Sequence, residues 1–257
     1  MPGEFAIPVS TLYAFLLTLT RMSGIFIFLP LPGLKAGPSA PRVVLALATT
    51  LSLFPRWPHL PEAPAGFGQI LAWLLGEVIL GMAIGLAVAF LLEILLIAAQ
   101  SVSLQAGFSY ASTVDPNTSA DSTVLITAAQ LVGALLFFTS GLDSQVLKAF
   151  ALSLDSQPPG LFAVTRPHAQ ALLMAGAGIF TAGLRLSLPL ITLLALLDLS
   201  IGLLGRLNAQ LQVLVVSMPV KMVAALAVLS WSVLLFPRVF NQGASTLFTA
   251  LERFLAR

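Results

Sequence analysis

Arg21, Glu77, Glu93, Arg185, Asp198 and Lys221 stand within or beside the long apolar stretches of a 257-residue chain. Side chains of these types could relay protons, hold an ion, or tie helices to one another. An ionised group at the centre of a bilayer costs at least about 2.5 kcal/mol, so most of the six must pair, reach an interface, or face water or protein. Glu77 and Glu93 are 16 residues apart. On one helix that separation is about 4.4 turns, so the two carboxylates point to different sides and make no paired acid/base site. Each is expected to find a local partner instead. Arg185 precedes Pro189 by one turn, and a helix broken there would leave backbone carbonyls without donors. Asp198 and Arg206 bracket "LSIGLLG"; they either pair or reach interfaces separately. Gln100, Gln105, Gln130, Asn208, Gln210 and Gln212 need hydrogen-bond partners wherever they are enclosed. They serve either as contacts between helices or subunits, or as plain caps.

Other chemistry lacks its residues. The two histidines, His59 and His168, lie in connecting regions, and neither accompanies an activated-serine motif. No H-E-x-x-H, Walker A or G-x-G-x-x-G pattern occurs. "GMAIG" at 81–85 is a small-xxx-small helix feature. The chain has no cysteine, which removes disulfides, thiol chemistry and Cys-ligated metals. The expectation is a non-enzyme with no catalytic residues, no cofactor and no metal. A net charge of +2 without a basic run argues against a nucleic-acid partner.

The elements that must position these groups are helices in a membrane. Apolar residues make up 58% of the chain and charged residues 9%, where a soluble domain carries about 25% charged residues. Six apolar blocks stand out: Val9 to Leu29, Val43 to Phe54, Phe67 to Ala99, Val124 to Leu147, Ala169 to Leu197 and Leu211 to Leu235. Their length and lack of period-2 alternation predict helix. "MPGEFAIPVS" lacks a basic region and is read as no cleavable signal, with the first block retained. The block lengths are irregular against the roughly 20 residues of an upright span. The second is too short. The third is either one helix of about 50 Å or a bent pair, and the fifth is expected to be kinked or split at Pro189. Pro- and Gly-rich connections at 30–41, 55–66 and 156–160 separate the blocks. Lys and Arg are distributed with only a small bias toward internal termini. No soluble domain interrupts the blocks, so one membrane-associated domain over residues 1–257 is the simple reading.

The polar insert "LQAGFSYASTVDPNTSADSTVL" at 104–125 is unusual in this setting. Gly107 permits a close approach or unusual backbone angles. Asp115, Pro116 and Asn117 read as a turn that Pro stiffens. Taken by itself, the insert is either a solvent loop or an ordered, movable element on an aqueous path.

This insert resembles the signature of the FliR family of export-gate proteins, whose injectisome relatives form a sister group. The resemblance extends over nearly the whole chain. It includes "FLLTLTRMSGIFIFLPLPG" at 15–33, "APRVVLALATTLSLFP" at 40–55, and "GLRLSLPLITLLALLDLSIGLLGRLNAQLQVLVVSMPVK" at 183–221. Gln105, Gly107, Ser109, Asp115, Pro116, Pro189, Gly202, Arg206, Gln210, Pro219 and Lys221 match in order and spacing. The chain departs from the family pattern at "AQLQ" (209–212), at "SMP" (217–219) and at "TSGLDSQ" (139–145), the last bearing on the choice between flagellar and injectisome branches.

The resemblance implies an all-α, multi-helix integral membrane protein with bent helical hairpins, a fusion of a P-type and a Q-type export-gate subunit. Residues 1–150 would be the P-like part and 151–257 the Q-like part. It implies a ring with P-type and Q-type subunits, a B-type subunit and a cytoplasmic gate protein as neighbours, and unfolded proteins as cargo. The location would be the bacterial inner membrane at the flagellar basal body, in contact with lipid. Residues 105–121 would be a pore or gating loop, with Gln105, Gly107, Phe108, Ser109, Asp115 and Pro116 in it. Arg21, Glu77, Glu93, Arg185, Asp198, Arg206, Gln210 and Lys221 would be buried polar or assembly contacts. An injectisome subunit and a stand-alone membrane transporter are the alternatives.

Overall fold

The computed structural model describes residues 8–31, 37–57, 66–108, 124–160, 162, 165–207, 213–232 and 236–255. Among these residues all regular structure is helical: α1 (Val9–Phe28), α2 (Ala40–Ser52), a 3-10 turn (Phe54–Arg56), α3 (Phe67–Ala106), α4 (Val124–Thr139), α5 (Leu142–Ser156), α6 (Arg166–Leu207), α7 (Val213–Ser232) and α8 (Phe236–Leu255). The chain is an all-α, multi-helix protein. Among the described residues three helices, α1, α3 and α6, are long and apolar enough to cross a membrane, and α4 with α5 makes a fourth if the two count as one broken span.

The third block settles as one helix. α3 runs for 40 residues, about 60 Å at 1.5 Å per residue. Gly76, Gly81 and Gly85 lie against neighbouring backbone and do not break it into a pair. α2, at 13 residues, is too short to cross upright.

One block differs from the sequence reading, and another loses one of its two alternatives. Val124 to Leu147 is not one helix: it stops at Thr139 and restarts at Leu142. Gly141 between them has φ 66°, a left-handed conformation that interrupts the helix and costs least at glycine. The apolar count ran through this break because hydropathy does not register backbone angle. Of the kink or split expected at Pro189, the split is ruled out: α6 continues for 42 residues. A proline removes one N–H and crowds the carbonyl one turn back. Ser187, Leu190 and Leu194 on the inner side of this helix are buried, and that packing holds both flanks in helix.

α8 was outside the six apolar blocks. Its signal is periodic: Phe240, Ala244, Leu247 and Leu251 are buried and recur at helical spacing, while Arg238, Asn241, Gln242, Ser245, Thr246 and Thr249 are exposed. A search for uninterrupted apolar runs passes over such a pattern.

The described chain forms two compact units, each assembled from separated segments. The first comprises residues 1–90, 141–176 and 245–257; the second comprises 91–140 and 177–244. In the first unit α1 and α3 cross at very short range. A Cβ on Gly81 would overlap the Arg21 carbonyl oxygen, one on Gly85 would lie 2.5 Å from the Ile25 carbonyl oxygen, and one on Gly24 would lie 2.9 Å from the Val78 carbonyl oxygen. Position 21 faces 81 and position 25 faces 85, so the two helices run parallel. Small residues at both surfaces let the backbones approach as membrane helices do. Leu17, Met22, Ile25, Leu80, Ile84 and Phe150 are buried in this unit. Arg42, near the start of α2, is also buried. It donates to the carbonyls of Phe26 and Leu29 at the end of α1, where a helix has no donors of its own.

The second unit closes around Val102, Ala106, Leu125, Leu190, Leu194 and Ala225, with Phe108 and Leu197 packed against them. Here α3 meets α6 at Gly183, whose Cβ would lie 2.9 Å from Ile97 Cβ and 3.1 Å from the Ile94 carbonyl oxygen.

A measurable consequence concerns α8. In a chain without cysteine, single cysteines at Asn241, Ser245 and Thr249 are expected to react with a membrane-impermeant maleimide applied to both sides of the membrane, in broken-open vesicles. A cysteine at Leu203, exposed on apolar α6, is expected to stay unlabelled until the membrane is dissolved. Protection of all three α8 positions would show that the polar face of this helix does not meet water.

Candidate functional site: two polar clusters between helices

The first cluster lies at the α1–α3 crossing. Arg21 and Glu77 have fully buried side chains, and Arg21 Nε donates to Glu77 Oε2 at 2.5 Å. The geometry follows from the crossing. Side chains on a helix tilt toward its N-terminus, so Arg21, opposite Gly81, reaches back to Glu77 one turn earlier on the parallel helix. The rest of the guanidinium is also used. Nη1 donates to the carbonyl of Ser153 at 2.7 Å and to its Oγ at 3.2 Å, and Nη2 donates to the Gln157 carbonyl at 2.8 Å. These acceptors lie at the C-terminal end of α5, where a cation also meets the negative end of the helix dipole. Glu77 uses its second oxygen to accept the Gly160 N–H at 2.9 Å. Gly160 has φ 89° and its Cα side lies against Trp73, 3.1 Å from where a Cβ would stand.

One ion pair thus joins α1, α3, the end of α5 and the turn after it. A buried pair of this kind is tolerated only when its remaining donors and acceptors are met, as they are here. Ser153 and Gly160 were not singled out in the sequence. The only hint was the "SQPPG" break at 156–160, which marks a turn but not what it binds. The sequence likewise does not show that Arg42 folds back on the end of α1.

The second cluster lies at the end of α3. Asp198 on α6 forms an ion pair with Lys221 on α7 through Oδ1. Its Oδ2 accepts from Gln105 Nε2 at 3.2 Å. The pair is partly open, with side-chain exposures of 18% for Lys221 and 39% for Asp198, so it is less enclosed than the first. Immediately beyond Gln105, α3 ends in a Schellman cap: the Phe108 N–H reaches the Ser103 carbonyl at 3.1 Å, and the Gly107 N–H reaches that of Leu104 at 3.3 Å. Gly107 has φ 83°, the conformation the cap requires. A Cβ there would stand 3.2 Å from Met218 Sδ, one turn before Lys221. Phe108 packs into the core of the second unit.

The remaining candidates separate. Asp198 takes Lys221 and not Arg206 as its ion-pair partner, and Arg206 is exposed. Glu93 and Arg185 are exposed on α3 and α6. Gln105 is helical, and Gly107 and Phe108 form its cap, so the first residues assigned to a loop are the end of α3. Ser109, Asp115, Pro116 and Gln210 lie outside the described residues.

These arrangements order helices; neither cluster places a nucleophile beside a base. The sequence profile described as "Bacterial export proteins, family 1" matches residues 12–247. The chain belongs to this family. Among its relatives, the flagellar biosynthetic protein FliR of Escherichia coli K12 is 28% identical over 213 residues, covering 82% of this chain and 81% of the relative. FliR of Bacillus subtilis is 28% identical over 222 residues, covering 84% of each. FliR of Caulobacter vibrioides is 24% identical over 221 residues, covering 86% and 88%. The family match spans both polar clusters, so both belong to the matched region.

Proposed function

We propose that this member of the family is a non-enzymatic subunit of the flagellar type III protein export gate in the bacterial inner membrane, at the basal body. The observation that carries this reading is the family match from residue 12 to residue 247, together with relatives named FliR that align over more than four-fifths of both chains. In this reading the chain is built like a P-type subunit joined to a Q-type subunit. It sits in a ring with P-type and Q-type partners, next to a B-type subunit and a cytoplasmic gate protein. Its helices form part of the wall of a pore for unfolded flagellar subunits, and energy comes from other components. Residues 105–121 help close the pore. The Gln105–Asp198–Lys221 cluster and the Gly107 cap then fix where that segment leaves α3.

A stand-alone transporter is less well supported. Such folds bind substrate at discontinuous helices; α6 runs on through Pro189, the break between α4 and α5 is the discontinuity such a site would need, and the relatives named FliR weigh for export instead.

Deleting residues 109–114, beyond the α3 cap and the core-packed Phe108, tests the gating role. The expected result is a complex that still co-purifies with its partners and leaks small ions when closed. An intact complex with unchanged leakage removes the gating role. A full-length chain that recovers no export-gate subunit removes the export reading itself.

A further inference from the structure

Arg185 projects away from its own chain. On α6 the inner stripe is Ile179, Ser187, Leu190 and Leu194, all buried, with Gly183 against α3. The opposite stripe, Thr181, Leu184, Arg185, Leu188 and Thr192, is exposed. Arg185 is therefore a cation on an outward face that is otherwise uncharged, with Leu184 39% and Leu188 47% exposed beside it.

Lipid alone does not cover this face. α6 has 42 residues, about 63 Å, against a hydrocarbon core of about 30 Å. Only 11% of its most apolar stretch is buried among the described residues, against 44% for α1 and for α3. Placing Arg185 at a headgroup level leaves one half of the helix in water. That half carries either exposed Leu188, Leu196, Leu199 and Leu203, or exposed Leu173, Met174, Phe180 and Leu184. Placing Arg185 deeper leaves its charge in hydrocarbon. A protein surface resolves both problems, because it extends beyond the lipid and can bring a counter-charge. Gly178, three residues before Thr181 on the same side, has open space at its Cβ position and admits close approach of a helix.

We propose that the outward face of α6 around Arg185 is a subunit interface. Its partner is an apolar helix of a neighbouring export-gate subunit that presents a carboxylate to the guanidinium. This rests on the export-gate reading and adds the surface and the chemistry of the contact.

The test uses the full chain co-expressed with its P-type and Q-type partners and recovered through a tag in mild detergent. Arg185→Leu is expected to lower the recovered partner subunits at least about tenfold, as removing one side of a buried charge contact does, with the amount of tagged chain unchanged. Arg185→Lys is expected to retain assembly. A photo-crosslinking residue at Leu188 is expected to attach to a partner subunit. The proposal is overturned if Arg185→Leu recovers partners at the wild-type level, as a lipid-facing site requires, or if the Leu188 probe attaches only to lipid. Should Arg185→Leu fail to accumulate, the Leu188 adduct decides alone. Wild-type chain that recovers no partner at all overturns the export-gate reading together with this interface, whereas equal recovery by wild type and Arg185→Leu removes only the interface.

Discussion

Arg21→Ala lowers the melting temperature of the detergent-purified chain by about 10 °C, the shift expected when a buried pair loses one partner at a cost of roughly 3–5 kcal/mol. The variant strands Glu77, whose side chain is fully buried, and removes the donors of the Ser153 and Gln157 carbonyls. Glu77→Ala acts in the same direction by leaving the guanidinium uncompensated and the Gly160 N–H without its acceptor. The double variant Arg21→Met with Glu77→Met is expected to be more stable than either alanine single, because no buried charge is left over. Full additivity in the matched cycle of Arg21→Met, Glu77→Met and their double would show that the side chains do not interact. A melting temperature within about 2 °C of wild type for Arg21→Ala would show that the pair contributes under 1 kcal/mol.

Gly81→Val is the second large effect. The obstacle to a side chain at this position is the backbone carbonyl of Arg21, which no rotamer change can move aside. Inserting bulk into a packed interior costs about 1–3 kcal/mol and occasionally more, and a backbone obstacle places this substitution at the upper end. Separating α1 from α3 also lengthens the Arg21–Glu77 contact, so the two losses compound. The expected outcome is a chain that fails to accumulate, or one whose melting temperature falls at least as far as that of Arg21→Ala. Gly68→Ala is the control on the same helix: nothing lies within 4 Å of its Cβ position, and its stability is expected to hold or rise slightly. Equal behaviour of the two variants would mean that the crossing does not depend on glycine.

Helix state and membrane class were legible in the residues, because both follow from sums over many positions. Long runs of Leu, Ala, Val and Ile leave helix as the state that satisfies the backbone without water. The clusters were legible only as a list of members. That Glu77 and Glu93 could not form one site followed from a 16-residue spacing on a helix. That Glu77 belongs to Arg21, and Asp198 to Lys221 and Gln105, did not follow, since these partners are separated by 56, 23 and 93 residues. Spacing along one helix says nothing about another helix placed beside it. The break at Gly141 reversed the sequence reading because an apolar count does not register a left-handed backbone angle. The continuity through Pro189 removed the split from the two alternatives, because packing on the inner face of α6 holds both flanks in helix.

Taken alone, the sequence determined that this chain is helical, suited to a membrane, and obliged to find counterparts for charges embedded in apolar stretches. It also carried the pattern shared with the export proteins. Tertiary structure decided which counterpart each charge received, and that Arg185 points outward, away from its own chain. The reason is geometric: hydrophobicity is additive along a chain, whereas an ion pair depends on two atoms meeting within a few ångströms, which only the crossing of folded helices arranges.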